Sequence, residues 1–180
     1  MSETMEQAGA GPTERLLRAE LGDRVLAVSA PHGDLAIEIR PEALLPAARL
    51  LKEHPELDYC FLMDIAAIDY LGQDPRFAVI YNFYSLRHGH RVRIRVRVPE
   101  DAPVLDSLYP LWPAADWFER EAWDLMGVQF RGHPRLVRIL THPEFVGHAL
   151  RKDYPSAERH RLSRTYDLFL EERAGAPPAD

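Results

Sequence analysis

The sequence predicts an α+β fold: two layers, a mixed or antiparallel sheet of about five strands with helices on one face, plus a long irregular C-terminal extension. Three observations carry this prediction. A stretch of helical period precedes two strand-like stretches, and a second helical stretch follows them. Three more strand-like stretches then precede a last helix. Beyond residue 128 the chain becomes rich in Gly, His and Pro and loses its periodicity.

Thr13 is the expected N-cap of a first helix through Leu21, with Leu16, Leu17 and Leu21 at helical spacing and Gly22 as its stop. Residues 25–29 read as a strand. Leu35, Ile37 and Ile39 alternate with Ala36, Glu38 and Arg40 in a second, and Pro31-His32-Gly33-Asp34 between them supplies the turn of a hairpin. A helix is expected over 42–54, with Leu44, Leu45, Ala48 and Leu51 on one face, Pro41 in its first turn and Pro55 after its end. Residues 59–68 are nearly all apolar, which predicts a strand buried on both faces. Residues 77–86 and 91–98 form a second hairpin across Arg87-His88-Gly89-His90. In its second strand Val92, Ile94, Val96 and Val98 face one way and Arg91, Arg93, Arg95 and Arg97 the other. Helices are expected over 102–111, closed by Trp112-Pro113, and over 114–126, with Gly127 just past the end. A short strand or turn is expected over 165–170. The chain thus divides into a flexible tail (1–12), an α+β domain (13–128), an extended segment (129–173) and a second flexible tail (174–180).

The length of 180 residues suits one domain able to bury a sizeable core. Cys60 is the sole cysteine, so an intrachain disulfide, a Cys-ligated iron–sulfur cluster and a multi-Cys zinc site are excluded. No apolar run approaches the roughly 18 residues of a membrane span, and residues 1–12 lack the basic start and apolar core of a signal peptide, so a cytoplasmic location is expected. The net charge of -6 argues against a general nucleic-acid binder.

Charge is unevenly spread. Residues 99–124 hold seven acids and one base, whereas residues 131–164 hold eight bases and three acids. The basic segment therefore has reason to lie against the acidic helix or an acidic partner. Two solvated faces are the plainer reading. The four-arginine strand likewise reads either as a solvent face or as a docking surface for acidic protein or nucleic acid. Only Lys52 and Lys152 interrupt an otherwise all-arginine set of bases.

The helix over 114–126 is the most informative stretch. At four-residue steps Asp116, Arg120 and Asp124 form one column, which gives Arg120 an acid on each side. Glu121 falls between Trp117 and Leu125, in an expected semi-buried stripe where it needs a cationic or hydrogen-bonding partner; Arg138 and Arg151 are both candidates. Glu119 and Glu121 lie about 200° apart on a helix and cannot work as an acid–base pair. The eight histidines show no metal-binding pattern, with His88 and His90 read as exposed turn residues and Asp64 and Asp69 as turn or cap residues. Nucleotide-binding glycine motifs and nucleophile motifs are absent. The residues by themselves indicate no active site.

One long stretch does resemble a known family. Glu119-Arg120-Glu121-Ala122-Trp123-Asp124-Leu125-Met126-Gly127-Val128-Gln129-Phe130-Arg131-Gly132-His133-Pro134, then Arg138-Ile139-Leu140 and Gly147-His148-Ala149-Leu150-Arg151-Lys152-Asp153-Tyr154-Pro155, are similar to the thirty-kilodalton subunit (NuoC) of respiratory NADH:quinone oxidoreductase, complex I. Leu62-Met63-Asp64, Ile68-Asp69-Tyr70 and residues 76–81 also resemble it, so the likeness spans about residues 41–155. The chain departs from the pattern at Val137, Ala149 and Met126, where a second Arg, a Pro and often a Phe are usual.

The resemblance implies an accessory subunit of the peripheral arm without a cofactor of its own, FMN and iron–sulfur clusters residing in partner subunits. It implies packing against the quinone-site subunit, which resembles a hydrogenase large subunit, and against other subunits of the peripheral arm. It also implies peripheral attachment to the cytoplasmic side of the inner membrane through the complex. Glu119, Arg120, Glu121, Asp124, Gly127, Phe130, Gly132, His133, Pro134, Arg138, Gly147, His148, Arg151, Lys152, Asp153 and Tyr154 become subunit-interface or anchoring residues, and none becomes catalytic, cofactor-binding or metal-binding. The extension over 129–173 becomes a partner-binding segment that orders with its partner. The rival readings are the equivalent subunit of a membrane-bound hydrogenase or formate hydrogenlyase, a nucleic-acid-binding module using the arginine strand, and a small soluble enzyme.

Overall fold

In the computed structural model, which describes residues 11–155 and 157, the expected two-layer α+β architecture is present. Helix α1 spans Pro12–Leu21 and buries Leu17 and Leu21. Its N-cap is Gly11, with Pro12 in the first turn, where a missing N–H costs nothing. Thr13 is therefore not the cap. It lies inside the helix, buried, with its hydroxyl 2.9 Å from the Tyr59 hydroxyl.

Strands β1 (Val25–Ser29) and β2 (Leu35–Ile39) form the expected antiparallel pair, joined through a 3-10 turn at Pro31–Gly33. A second 3-10 turn, Pro41–Ala43, leads into α2 (Leu44–Glu53), which buries Leu44, Ala47, Ala48 and Leu51. Strands β3 (Phe61–Asp69), β4 (Phe77–Ser85) and β5 (His90–Val98) complete a sheet of order β1-β2-β5-β4-β3. The β2–β5 pairing is parallel and the others antiparallel, so the sheet is mixed.

β3 corrects one expectation. It is an edge strand, not one buried on both faces, and Phe61, Met63 and Ile68 are exposed. The inner strand with near-continuous burial is β4, flanked on both sides. An apolar run alone does not distinguish a central strand from an edge whose outer face awaits a neighbour.

The expected helix over 102–111 is also absent. Val104–Asp106 is a short strand, β6, paired in parallel with β7 (Gln129–Arg131). Pro103 and Pro110 confine the segment, and its backbone groups are satisfied by a partner strand more than twenty residues later, a pairing that local periodicity cannot register. Helix α3, Ala115–Met126, ends at Gly127 in the left-handed conformation, as expected. It packs against β3 on the same face as α1 and α2. The core lies between this helical layer and the sheet. Leu17, Leu44 and Leu51 meet Ile37, Ile94, Val79 and Phe83 there. The alternation in β5 is as the sequence predicts. Its valines and isoleucine are buried, Arg91 and Arg93 are exposed, and Arg95 and Arg97 are half-buried on the face without helices. Residues 1–10 of the tail expected over 1–12, the strand or turn expected over 165–170, the tail over 174–180 and the rest of the extension past 157 lie outside the described residues.

Candidate functional site

The site is α3 together with the segment that follows it. That segment has little regular structure, so its backbone polar groups need partners elsewhere. Asp124 supplies several. Its fully buried carboxylate accepts the backbone N–H groups of Ile139, Leu140 and Thr141 at 3.0, 2.8 and 2.9 Å. Arg138 Nη1 lies 2.6 Å from the other oxygen, which also accepts the Thr141 hydroxyl. Burial works against the Asp124 charge. The hydrogen bonds from Thr141, Ile139 and Arg138 outweigh it and hold the carboxyl well below its ordinary range.

The last carbonyls of α3 have no partners within the helix, and the same segment reaches them. His148 Nδ1 lies 3.0 Å from Asp124 O, Leu150 N–H donates to Leu125 O at 3.0 Å, and Arg151 Nε donates to Met126 O at 2.8 Å. Cationic donors at a helix C-terminus also complement its dipole. Gly127 makes this approach possible. It has φ +80°, and a Cβ there would stand within 3 Å of both Arg151 and His148.

Arg120 is buried, but it does not bridge Asp116 and Asp124 as its column suggests. Its guanidinium lies over the Trp117 ring and donates to Val137 O and Arg138 O at 3.1 and 3.2 Å. Glu121 corrects the sequence reading more sharply. It is exposed, and the Trp117–Glu121–Leu125 column is the outer face of the helix. Neither candidate partner goes to it, because Arg138 is taken by Asp124 and Arg151 by Met126 O. The buried glutamate is Glu119. Ser107 Oγ and Leu108 N–H each donate to it at 2.6 Å. Burial pushes its carboxyl up to about 7 against the effect of those two bonds.

The other expected residues fall into place around these. Phe130 is core. Gly132 and Pro134 sit at an exposed turn, with Gly132 at φ +82°. His133 Nδ1 accepts the Arg135 N–H, so Nε2 carries the hydrogen and faces Asp116, 3.2 Å away. Gly147 O accepts from Arg138, and the Tyr154 ring packs directly on Gly147. The end of the segment is fastened to the sheet. Asp153 accepts two bonds from Arg76, at 2.7 and 3.0 Å, and Lys152 N–H donates to Asp69 at 2.8 Å. Arg76 is buried and also grips Asp69 through two bonds of 2.8 and 2.9 Å, which holds that carboxyl at about 2.

Arg76 and Asp69 are the anchoring residues that the sequence reading missed. Asp69 passes for a turn residue because its partners stand 7 and 83 positions away. Among the described residues, no cluster of three or more His, Cys, Asp or Glu is arranged to hold a metal, and no helix is long and apolar enough to cross a membrane.

Several polar groups of the segment thus turn inward, while large apolar side chains of the segment and of α3 turn outward. Trp117 is 60% exposed, Leu140 63%, Val146 69% and Leu150 55%. Such an arrangement offers a shaped, partly apolar surface to a neighbour.

Comparison with known proteins gives the surface a context. The family model described as respiratory-chain NADH dehydrogenase, 30 Kd subunit, matches residues 37–160. The corresponding NADH-quinone oxidoreductase subunit of Roseiflexus castenholzii is 45% identical over 139 residues, 77% of this chain and 80% of that one. Its counterpart in Thiobacillus denitrificans is 41% identical over 162 residues, covering 86% of this chain and 78% of that one. Among solved structures, a trypsin-resistant fragment (1–134) of Nqo5 superposes with a TM-score of 0.58 at 32% identity, covering 68% of this chain and 98% of the fragment. A chain of an archaeal membrane-bound sulfane sulfur reductase has a TM-score of 0.65 at 18% identity, covering 92% of each, a likeness of fold alone.

Proposed function

The chain belongs to the family of the 30 kDa subunit of respiratory-chain NADH dehydrogenase, and from that premise we propose that it is the cofactor-free structural subunit of the peripheral arm of a proton-translocating NADH:quinone oxidoreductase. Its contribution to the enzyme exists only within the complex. It packs against the quinone-site subunit and supports the path of electrons from NADH to quinone, while FMN and iron–sulfur clusters are held by partner subunits. Its attachment to the membrane is peripheral, through the complex and on the cytoplasmic side.

The observation that carries this reading is the outward set of apolar side chains, Trp117 on α3 and Val137, Leu140, Val146 and Leu150 on the segment after it, which is itself tied down by polar bonds to α3 and Arg76. A partner that covers them gains apolar burial without having to order the backbone beneath first. Affinity purification of the tagged chain from gently solubilised membranes tests the reading. The quinone-site subunit and other peripheral-arm subunits are expected to co-purify; recovery of the chain alone would contradict it. The hydrogenase-type alternative has no observation in its favour, since the likeness to the sulfane sulfur reductase extends only to the fold.

A further inference from the structure

We propose that the helix-free face of the five-stranded sheet is a second docking surface, whose occupant is an extended acidic segment of a partner protein laid along β5. This goes beyond the role proposed above, which uses α3 and the segment packed on it, on the helical side of the sheet.

Arg91, Arg93, Arg95 and Arg97 stand at alternate positions of one strand, so neighbours in the row are about 7 Å apart. Alternate side chains of any extended polypeptide repeat at the same interval. The ground beside the row is low. Ala27, Ser29, Ala36 and Ala66 border a shallow depression of about 530 Å³ that also reaches Arg93 and Arg95. The guanidinium groups keep most of their donors free for a ligand. Arg93 donates through Nε to Asn82 at 3.1 Å, Arg95 to the Tyr70 hydroxyl at 2.6 Å, and Arg97 to Gln73 at 2.8 Å. The Nε atoms of Arg95 and Arg97 are buried, so a ligand meets these two side chains at their terminal nitrogens. Arg95 also forms an ion pair with Glu38, whose carboxylate stands 3.8 Å from its Nε. Each guanidinium has five donors in a fork that fits a carboxylate.

The same face disfavours nucleic acid. Arg95 and Arg97 already lie over the Tyr70 ring and Arg91 over the Tyr84 ring, so these aromatics are not free to stack on bases. Glu38 stands on the adjacent strand β2 opposite Arg95, and Asp64 stands two strands away on β3, opposite Asn82 of β4. They leave room along the row for one narrow chain carrying spaced carboxylates and crowd a broader polyanion with acids.

The test uses the purified full chain and a fluorescent peptide as long as the nine residues of β5, with Glu at alternate positions. Controls are a peptide of the same composition with its glutamates in one block and a single-stranded oligouridylate. Fluorescence anisotropy is expected to show the alternating peptide binding best. Binding should weaken at least about tenfold in R93A/R95A and be largely retained in R93K/R95K, which keeps the charge. R93A alone removes one exposed side chain with a single hydrogen bond, so it keeps the fold and should also weaken binding. The proposal is overturned if the alternating peptide fails to bind, if the alanine variants bind it as well as the native chain, or if the blocked peptide or the oligouridylate binds more tightly. Binding that emerges only after removal of residues 1–10 also overturns it, since that segment would then be the occupant.

Discussion

Arg138 Nη1 lies 2.6 Å from Asp124 Oδ1, with the carboxylate fully buried, so a residue of α3 grips the segment fourteen positions later. This pair sits at the head of a set of contacts that fix an irregular chain to a regular one. Removing one partner strands the other. Asp124→Asn is expected to lower the stability of the full chain by about 3 kcal/mol, the usual cost of breaking a buried ion pair. Urea unfolding of the purified protein measures it.

Gly127 carries the close approach of the segment to the C-terminus of α3. Gly127→Ala places a Cβ in a left-handed conformation, a penalty of about 1–2 kcal/mol. It also crowds Arg151 and His148. The segment should loosen ahead of the domain, and limited trypsin digestion should cut after Arg138 and Arg151 faster than in the native chain.

Glu119 makes stability depend on pH near neutrality. Its folded carboxyl titrates at about 7 against an ordinary 4.5. Between those values the folded chain holds a proton that the unfolded chain has released. Stability therefore falls as pH rises from 4.5 through 7 and then levels, with a total on the order of 3 kcal/mol. Glu119→Gln should abolish this slope and be at least as stable as the native chain at pH 8. Thermal unfolding across pH 5–8 provides the comparison.

Arg76 and Asp153 separate fold from fastening. Arg76 is buried between Asp69 and Asp153, and a lysine cannot reproduce its paired bonds. Arg76→Lys should cost about 3 kcal/mol in urea unfolding. Asp153 is half-exposed, so Asp153→Asn should leave the urea midpoint nearly unchanged yet raise trypsin cleavage after Lys152. Asp69, held at about 2 by Arg76, adds stability that is present above its ordinary 3.8 and is lost as pH falls toward 2.

Elements with their own period were legible in the sequence: α1, α2, α3, both hairpins and the inward valines of β5. What escaped was set by distance along the chain. The β6–β7 pairing joins Val104 to Gln129, and nothing within residues 102–111 announces it. Glu119 and Glu121 look alike in sequence, and only the packing of Ser107 and Leu108 against α3 decides which is buried. The region of the site was legible through its family likeness. The roles of Arg76 and Asp69 were not, because their contacts with Lys152 and Asp153 span about half the chain.

If the segment is held by its own domain and offers its apolar side chains to a neighbour, charging those side chains should cost assembly and spare folding. Leu140→Asp/Leu150→Asp tests it most directly, since both leucines point outward. Co-purification of the tagged variant with the other subunits from gently solubilised membranes is the measurement, with urea unfolding of the isolated chain as its companion. Near-native unfolding together with loss of the partner subunits is the predicted result. Undiminished recovery of the whole complex would contradict the account, and so would collapse of the isolated chain's own stability.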